Sequence, residues 1–185
     1  MTARVEPHLF AAPSGGVPNN PDLPLLIYRG VLAEAGRSAA ALRALAGARG
    51  WHGFWQGGVY PFHHFHADAH EALGVIAGRA RVQFGGEGGA RLKLAAGDAV
   101  LIPAGVGHCA LWGSPDFACV GFYPPGAEPD LVRHDAAPAD AAARVAAVPV
   151  PAADPLFGED GPLVRLWRVP ASPHERRRRS RQPTH

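Results

Sequence analysis

Four of the ten histidines lie between positions 63 and 70, in the run His63-His64-Phe65-His66 followed by His70-Glu71. In an extended strand successive side chains alternate faces, so His64 and His66 point to one side while His63 and Phe65 point to the other. Two imidazoles on one face at this spacing can hold one metal ion. Glu71 follows His66 by five residues, enough for a short turn to return its carboxylate to the same ion. A third imidazole is available from His108, just beyond the turn Pro103-Ala104-Gly105-Val106-Gly107. Three neutral imidazoles and one carboxylate make a mixed nitrogen and oxygen set, suited to one divalent Fe, Mn, Ni, Zn or Cu ion and poor for calcium. Four ligands around an octahedral ion leave two adjacent positions for water, substrate or dioxygen, and an open position is what a catalytic site keeps. Cys109 follows His108 directly, so strand alternation should turn it away from the metal.

Read with their glycines, these residues form two spaced patterns. The first is Gly58-x5-His64-x-His66-x4-Glu71-x6-Gly78, and the second is Gly97-x5-Pro103-x-Gly105-x2-His108. The pair resembles the two motifs of the cupin superfamily. One departure is Trp112, which stands where the second motif usually carries Asn, a position that bears on pocket polarity rather than on the metal. The resemblance is closer still to the YjlB-like single-domain cupins, through the segments PNNPDLPLLIYRGVL, GWHGFWQGGVYPFHHFHADAHEALGVIAGRARVQFGGEGG, AGDAVLIPAGVGH, SPDFACVGFYPPG and DPLFGEDGPL, which span about 18–168. It implies an all-β fold: a cupin-type, RmlC-like double-stranded β-helix (jelly-roll) barrel with an N-terminal strand and helix and short C-terminal helical embellishments. It further implies a divalent metal and a homodimer, and it implies no particular reaction.

The elements that must position the ligands are legible in outline. Residues 1–22 hold Pro7, Pro13, Gly15, Gly16, Pro18 and Pro21 and are expected to form an irregular arm. Residues 23–31 (LPLLIYRGV) read as a buried strand, and the three-and-four apolar spacing over 32–48 predicts a helix ended by Gly50. From 51 to 123, short apolar runs alternate with Gly and Pro at intervals of about ten residues, the pattern of an all-β sandwich or barrel. Strands are predicted over 58–66, 71–76, 80–84, 92–95, 99–102, 109–112 and 117–122. Gly78 and Gly97 sit where tight turns need positive φ, and Pro103-x-Gly105 bends the chain so that His108 enters the barrel. A short helix is expected near 137–147. The chain thus divides into an arm (1–22), one cupin domain (23–168, barrel core 51–123) and a basic tail (169–185).

By strand parity Tyr60 and Phe62 should share the face of His64, and Trp112 that of His108, giving an aromatic-walled cavity for a small organic molecule. Tyr60, His63 and His70 are the nearby candidates for a general base.

The 185 residues, 47% hydrophobic and 18% charged, suit one ordinary domain and leave no room for two large ones. The formal charge of +2 is misleading. Five of the 18 basic residues and one of the 16 acids lie in 171–185, so the remainder carries 13 against 15. A nucleic-acid-binding domain usually spreads its basic charge over a folded face, so the tail is read as solvated and nucleic acid as an unlikely partner. The two cysteines make no disulfide scaffold, and no stretch is apolar enough for a signal peptide or a membrane span. A cytoplasmic, metal-dependent protein with a small-molecule substrate or ligand is expected. Within that class, an Fe(II)-dependent dioxygenase stands first, ahead of a metal-dependent isomerase or lyase and of a non-catalytic ligand-binding cupin.

Overall fold

The computed structural model describes residues 4–168; the basic tail falls outside them. Eleven strands and three α-helices follow one another: β1 (Arg4–Phe10), β2 (Asn20–Arg29), α1 (Ala39–Gly47), β3 (His52–Gly57), β4 (His64–Phe65), β5 (Glu71–Ala77), β6 (Arg79–Phe84), β7 (Ala90–Ala95), β8 (Ala99–Ile102), β9 (His108–Gly113), β10 (Ala118–Tyr123), β11 (Val132–Arg133), α2 (Ala141–Ala147) and α3 (Pro162–Leu166). They form a six-stranded sheet, β1-β2-β8-β5-β10-β3, and a five-stranded sheet, β11-β4-β9-β6-β7. The strand pairs are antiparallel. This is the jelly-roll barrel that the motif resemblance implies.

Between the sheets Leu25, Ile27, Leu73, Val75, Val82, Phe84, Val100 and Ile102 make one buried cluster. Outside the larger sheet Leu26, Tyr28, Leu101 and Phe122 pack with Leu42 of α1 and with Leu163 and Trp167 of the C-terminal segment. The larger sheet is therefore covered on both faces, which is why its central strands read as unbroken apolar runs rather than as alternating ones. The Tyr28 hydroxyl donates to Asp154 at 2.6 Å, and the same carboxylate accepts from the backbone of Leu156, Phe157 and Leu163, so one buried acid pins the C-terminal return to β2. Among the described residues no helix is long and apolar enough to cross a membrane.

Three expectations need correcting. The arm is irregular only over 11–19, because Arg4–Phe10 pairs with β2 as the edge strand of the larger sheet. An edge position tolerates Pro7, and Pro21 and Pro24 fall where the β1–β2 register slips between Phe10↔Asn20 and His8↔Leu25. The strand expected over 58–66 shrinks to its end: β3 lies before it and stops at Gly57, residues 58–63 cross from one sheet to the other, and only His64–Phe65 form β4. The first helix begins at Ala39 rather than at 32, because the Ser38 hydroxyl accepts from the Ala41 amide at 3.1 Å and caps it there. Gly78 (φ 64°) and Gly97 (φ 101°) take the left-handed conformation their turns require.

Candidate metal centre

β4 and β9 lie side by side with His64 opposite His108, and this pairing brings the two motifs together inside the barrel. His64, His66 and His108 are all buried, and one nitrogen of each lies within 4.8 Å of the others. The ring orientations follow from the backbone. The Nδ1 of His64 contacts the Phe62 carbonyl at 3.1 Å, that of His108 the Val106 carbonyl at 3.2 Å, and that of His66 the Asp130 carbonyl. A carbonyl only accepts, so each Nδ1 carries a proton and Nε2 is the nitrogen left to coordinate an ion. Metal-ligating histidines are held in this way, with the second nitrogen donating to a fixed acceptor.

Glu71, fully enclosed at the start of β5, places Oε2 3.5 Å from His66 Nε2 and 3.3 Å from His108 Nε2. Donors adjacent on one ion, each about 2.1 Å from it, stand roughly 3.0 Å apart, so these separations match neighbouring ligands. The residues present fit one transition-metal ion: the three imidazoles converge, and Glu71 stands beside two of them. The other oxygen, Oε1, accepts from the Tyr123 hydroxyl at 3.1 Å, which itself accepts from Trp55 Nε1 at 3.2 Å. Trp55 reaches Tyr123 only because residue 121 is glycine, since a Cβ there would fall 2.0 Å from the indole Cε2.

Charge is unequally shared in the pocket. Burial, with His108 alongside, pushes His64 down to about 3. Burial opposes charge on His66 as well, but the Glu71 carboxylate overrides it and raises that pKa. Burial likewise penalises the Glu71 anion, yet His66 and His108 hold its carboxyl below the usual carboxylate range. Burial and then Glu71 raise the Tyr123 phenol, so it stays a proton donor to Glu71 at neutral pH.

The four candidate ligands form the floor of a cavity of about 360 Å³, with Trp55, Val59, Leu73 and Tyr123 in its walls. Tyr60 and Leu131 line it as well and are half exposed, so they mark its mouth. Of the candidate bases only Tyr60 lines this cavity. His63 faces away, its ring against His134 at 5.9 Å. His70 is fully buried elsewhere, its Nδ1 accepting the Ala104 amide at 2.9 Å and its ring against Trp167 at 4.8 Å. Phe62 stacks on the outer side of Tyr60 at 4.9 Å, under Arg133. Trp112 is 52% exposed beside Arg79 and does not reach the cavity. The β9–β6 register explains it: Ala110 opposes Val82 but Trp112 opposes Arg81, so Leu111 is an extra residue, and the bulge reverses the parity counted from His108. Tyr123, Trp55 and the Asp130 carbonyl escaped the sequence reading. A main-chain acceptor has no sequence signature, and Tyr123 lay just past the predicted strand.

Two sheets closed around three inward histidines define a cupin, and residues 50–119 match the cupin domain family. Over 159 residues the chain is 38% identical to YjlB of Bacillus subtilis (strain 168), a protein described as uncharacterized, covering 85% of this chain and 94% of that one. The chain belongs to the YjlB family of cupins. Among solved structures, acireductone dioxygenase from Bacillus anthracis, with a cadmium ion in its active centre, is 14% identical at a TM-score of 0.36, over 50% of this chain and 63% of that one. RmlC from Streptococcus suis in complex with dTDP-D-xylose is 11% identical at a TM-score of 0.36, over 66% and 70%. Likenesses this slight carry no argument about chemistry.

Proposed function

We propose that the chain is a metal-dependent cupin enzyme acting on a small organic molecule, with one divalent transition metal held by His64, His66 and His108 and by Glu71. The observation that carries this reading is the set of three Nδ1 contacts to backbone carbonyls, which leaves the Nε2 atoms for an ion in a cluster whose ligand atoms lie within 4.8 Å of one another on a cavity floor. When bound, the metal would supply Lewis acidity and, if it is iron, electron transfer with dioxygen. Oxidation by dioxygen at Fe(II) is our first reaction class, with isomerase or lyase chemistry second. The chain's own residues bind and shield the guest. Trp55, Val59 and Leu73 offer apolar wall, Tyr60 and Leu131 flank the mouth, and the Tyr123 hydroxyl donates a hydrogen bond to the Glu71 carboxylate. A non-oxidative route needs a separate base, and Tyr60 is the one of the three candidates within the cavity. The proposal includes a cytoplasmic homodimer, whose stoichiometry light scattering measures.

The test is elemental analysis of protein purified without an affinity tag, beside His64→Ala and His108→Ala. One equivalent of metal in the parent and loss in both variants is expected; unchanged metal in either variant would overturn the ligand set. Turnover that persists without dioxygen would then exclude the dioxygenase and leave the isomerase or lyase class.

A further inference from the structure

We infer that the segment running from Asp130 to Arg144, which begins along the edge of the smaller sheet, is a working part of the metal centre, and that Arg144 of α2 is the positioning residue for His66. This rests on the metal-binding reading above and adds to it which distant residues tune the affinity.

The three ligands are held differently. His64 and His108 each use a carbonyl two residues earlier in their own chain segment, Phe62 and Val106. Those acceptors are built into the local strand. His66 instead borrows its acceptor from Asp130, 64 residues away. Whatever fixes Asp130 therefore fixes the His66 ring.

Asp130 is fixed from two sides. Its Oδ1 accepts the amides of Ala67 at 2.8 Å and Asp68 at 3.1 Å, clamping the chain immediately after His66. Its Oδ2 accepts from Arg144 Nη2 at 2.9 Å. The same guanidinium grips Asp68 with both forks, through Nε at 2.8 Å to Oδ1 and through Nη2 to Oδ2. One cation thus ties the chain leaving His66 to the segment that supplies its acceptor. It also separates two carboxylates that would otherwise face each other unneutralised. The strap continues along the ligand strand, where Val132 pairs with Phe65, Arg133 with His64, and the His134 amide donates to the His63 carbonyl at 3.1 Å. At its far end α2 is seated by Ala141 and Val145 in the same buried cluster as Phe65, Val17 and Ala104. Arg144 therefore projects from a packed helix, and its position is not left to solvent.

Loss of a partner behind a metal-bound imidazole typically costs about 10- to 100-fold in metal affinity. Arg144→Ala keeps the Asp130 carbonyl but loosens it, so a loss of about tenfold is expected, with binding weakened and not abolished. The experiment uses the full chain, stripped with a chelator and titrated with Co(II) alone against a chromophoric competitor, while the visible d–d bands report ligand geometry. Expected results are about tenfold weaker Co(II) binding and altered bands in Arg144→Ala, a similar change in Asp130→Asn, and no further loss in the double variant, since both act through one device. Arg144→Lys, a point charge without the planar fork, should fall between. Unchanged affinity and bands in Arg144→Ala overturn the inference, as does a fully additive loss in the double variant. A lower metal-free melting temperature with unchanged Co(II) bands also overturns it, because that is a structural role alone. If Arg144→Ala does not fold, Asp68→Asn, which weakens the grip on Arg144 and leaves the bonds of Asp130 intact, is read by the same two measurements. No Co(II) uptake by the parent protein would defeat the metal-binding reading itself, a result distinct from the others.

Discussion

His70 offers a pH-linked test of the packing between β5, the Pro103–Gly107 turn and the C-terminal return. Its ring is fully buried, and its Nδ1 must keep a lone pair to accept the Ala104 amide at 2.9 Å. Burial, offset in part by the Pro149 carbonyl, lowers its pKa from 6.5 to about 4. The unfolded chain therefore binds a proton in the interval between those values that the folded chain refuses. Stability from the neutral ring is fully present above pH 6.5 and is lost as the pH falls through 6.5 toward 4, with a steepest slope of about 1.4 kcal/mol per pH unit. Between pH 7 and 4.5 the loss from this one group is about 2.5 kcal/mol. The assay is urea denaturation of metal-free protein at the two pH values, for the parent and for His70→Gln, which retains an acceptor but does not titrate. His64 titrates in both proteins and cancels. The variant should be the less stable at pH 7, and the gap should narrow by about 2.5 kcal/mol at pH 4.5. Parallel losses in the two proteins would refute the reasoning.

Other consequences follow from single contacts. Tyr28→Phe removes a buried hydrogen bond to the Asp154 carboxylate and should cost about 1.5–3 kcal/mol by denaturant unfolding, with metal content unchanged. Gly121→Ala forces the Trp55 ring off β10 and should cost roughly 1–3 kcal/mol while shifting tryptophan fluorescence, because the Trp55–Tyr123 bond is broken. Cys119, buried and with its thiol pushed up to about 12, should resist thiol reagents in the native protein and react once it is unfolded.

The legible part of the molecule was whatever depends on spacing. The clustering of His64, His66 and His108, with Glu71 beside them, is legible because strand alternation and a short turn impose fixed intervals, and the turn glycines betray positive φ. What escaped depends on the third dimension. Strand parity alone puts Trp112 in the cavity, and one bulged residue, Leu111, turns it outward. The N-terminal arm looked irregular because its prolines are breakers in general, whereas an edge strand and a register slip accommodate them. His63 and His70 lie near the ligands along the chain, yet alternation turns His63 toward His134 and the start of β5 buries His70 against Ala104 and Trp167. The Asp130 carbonyl and Arg144 matter through contacts that span 64 and 76 residues, which no local pattern encodes.

Three imidazoles are proposed to meet on one ion. Anomalous diffraction from crystals grown with Mn(II) or Co(II) tests it most directly. A single peak is predicted about 2.0–2.2 Å from the Nε2 atoms of His64, His66 and His108, on the side of Glu71. A peak elsewhere, or full metal in solution with no density among these three nitrogens, would contradict it.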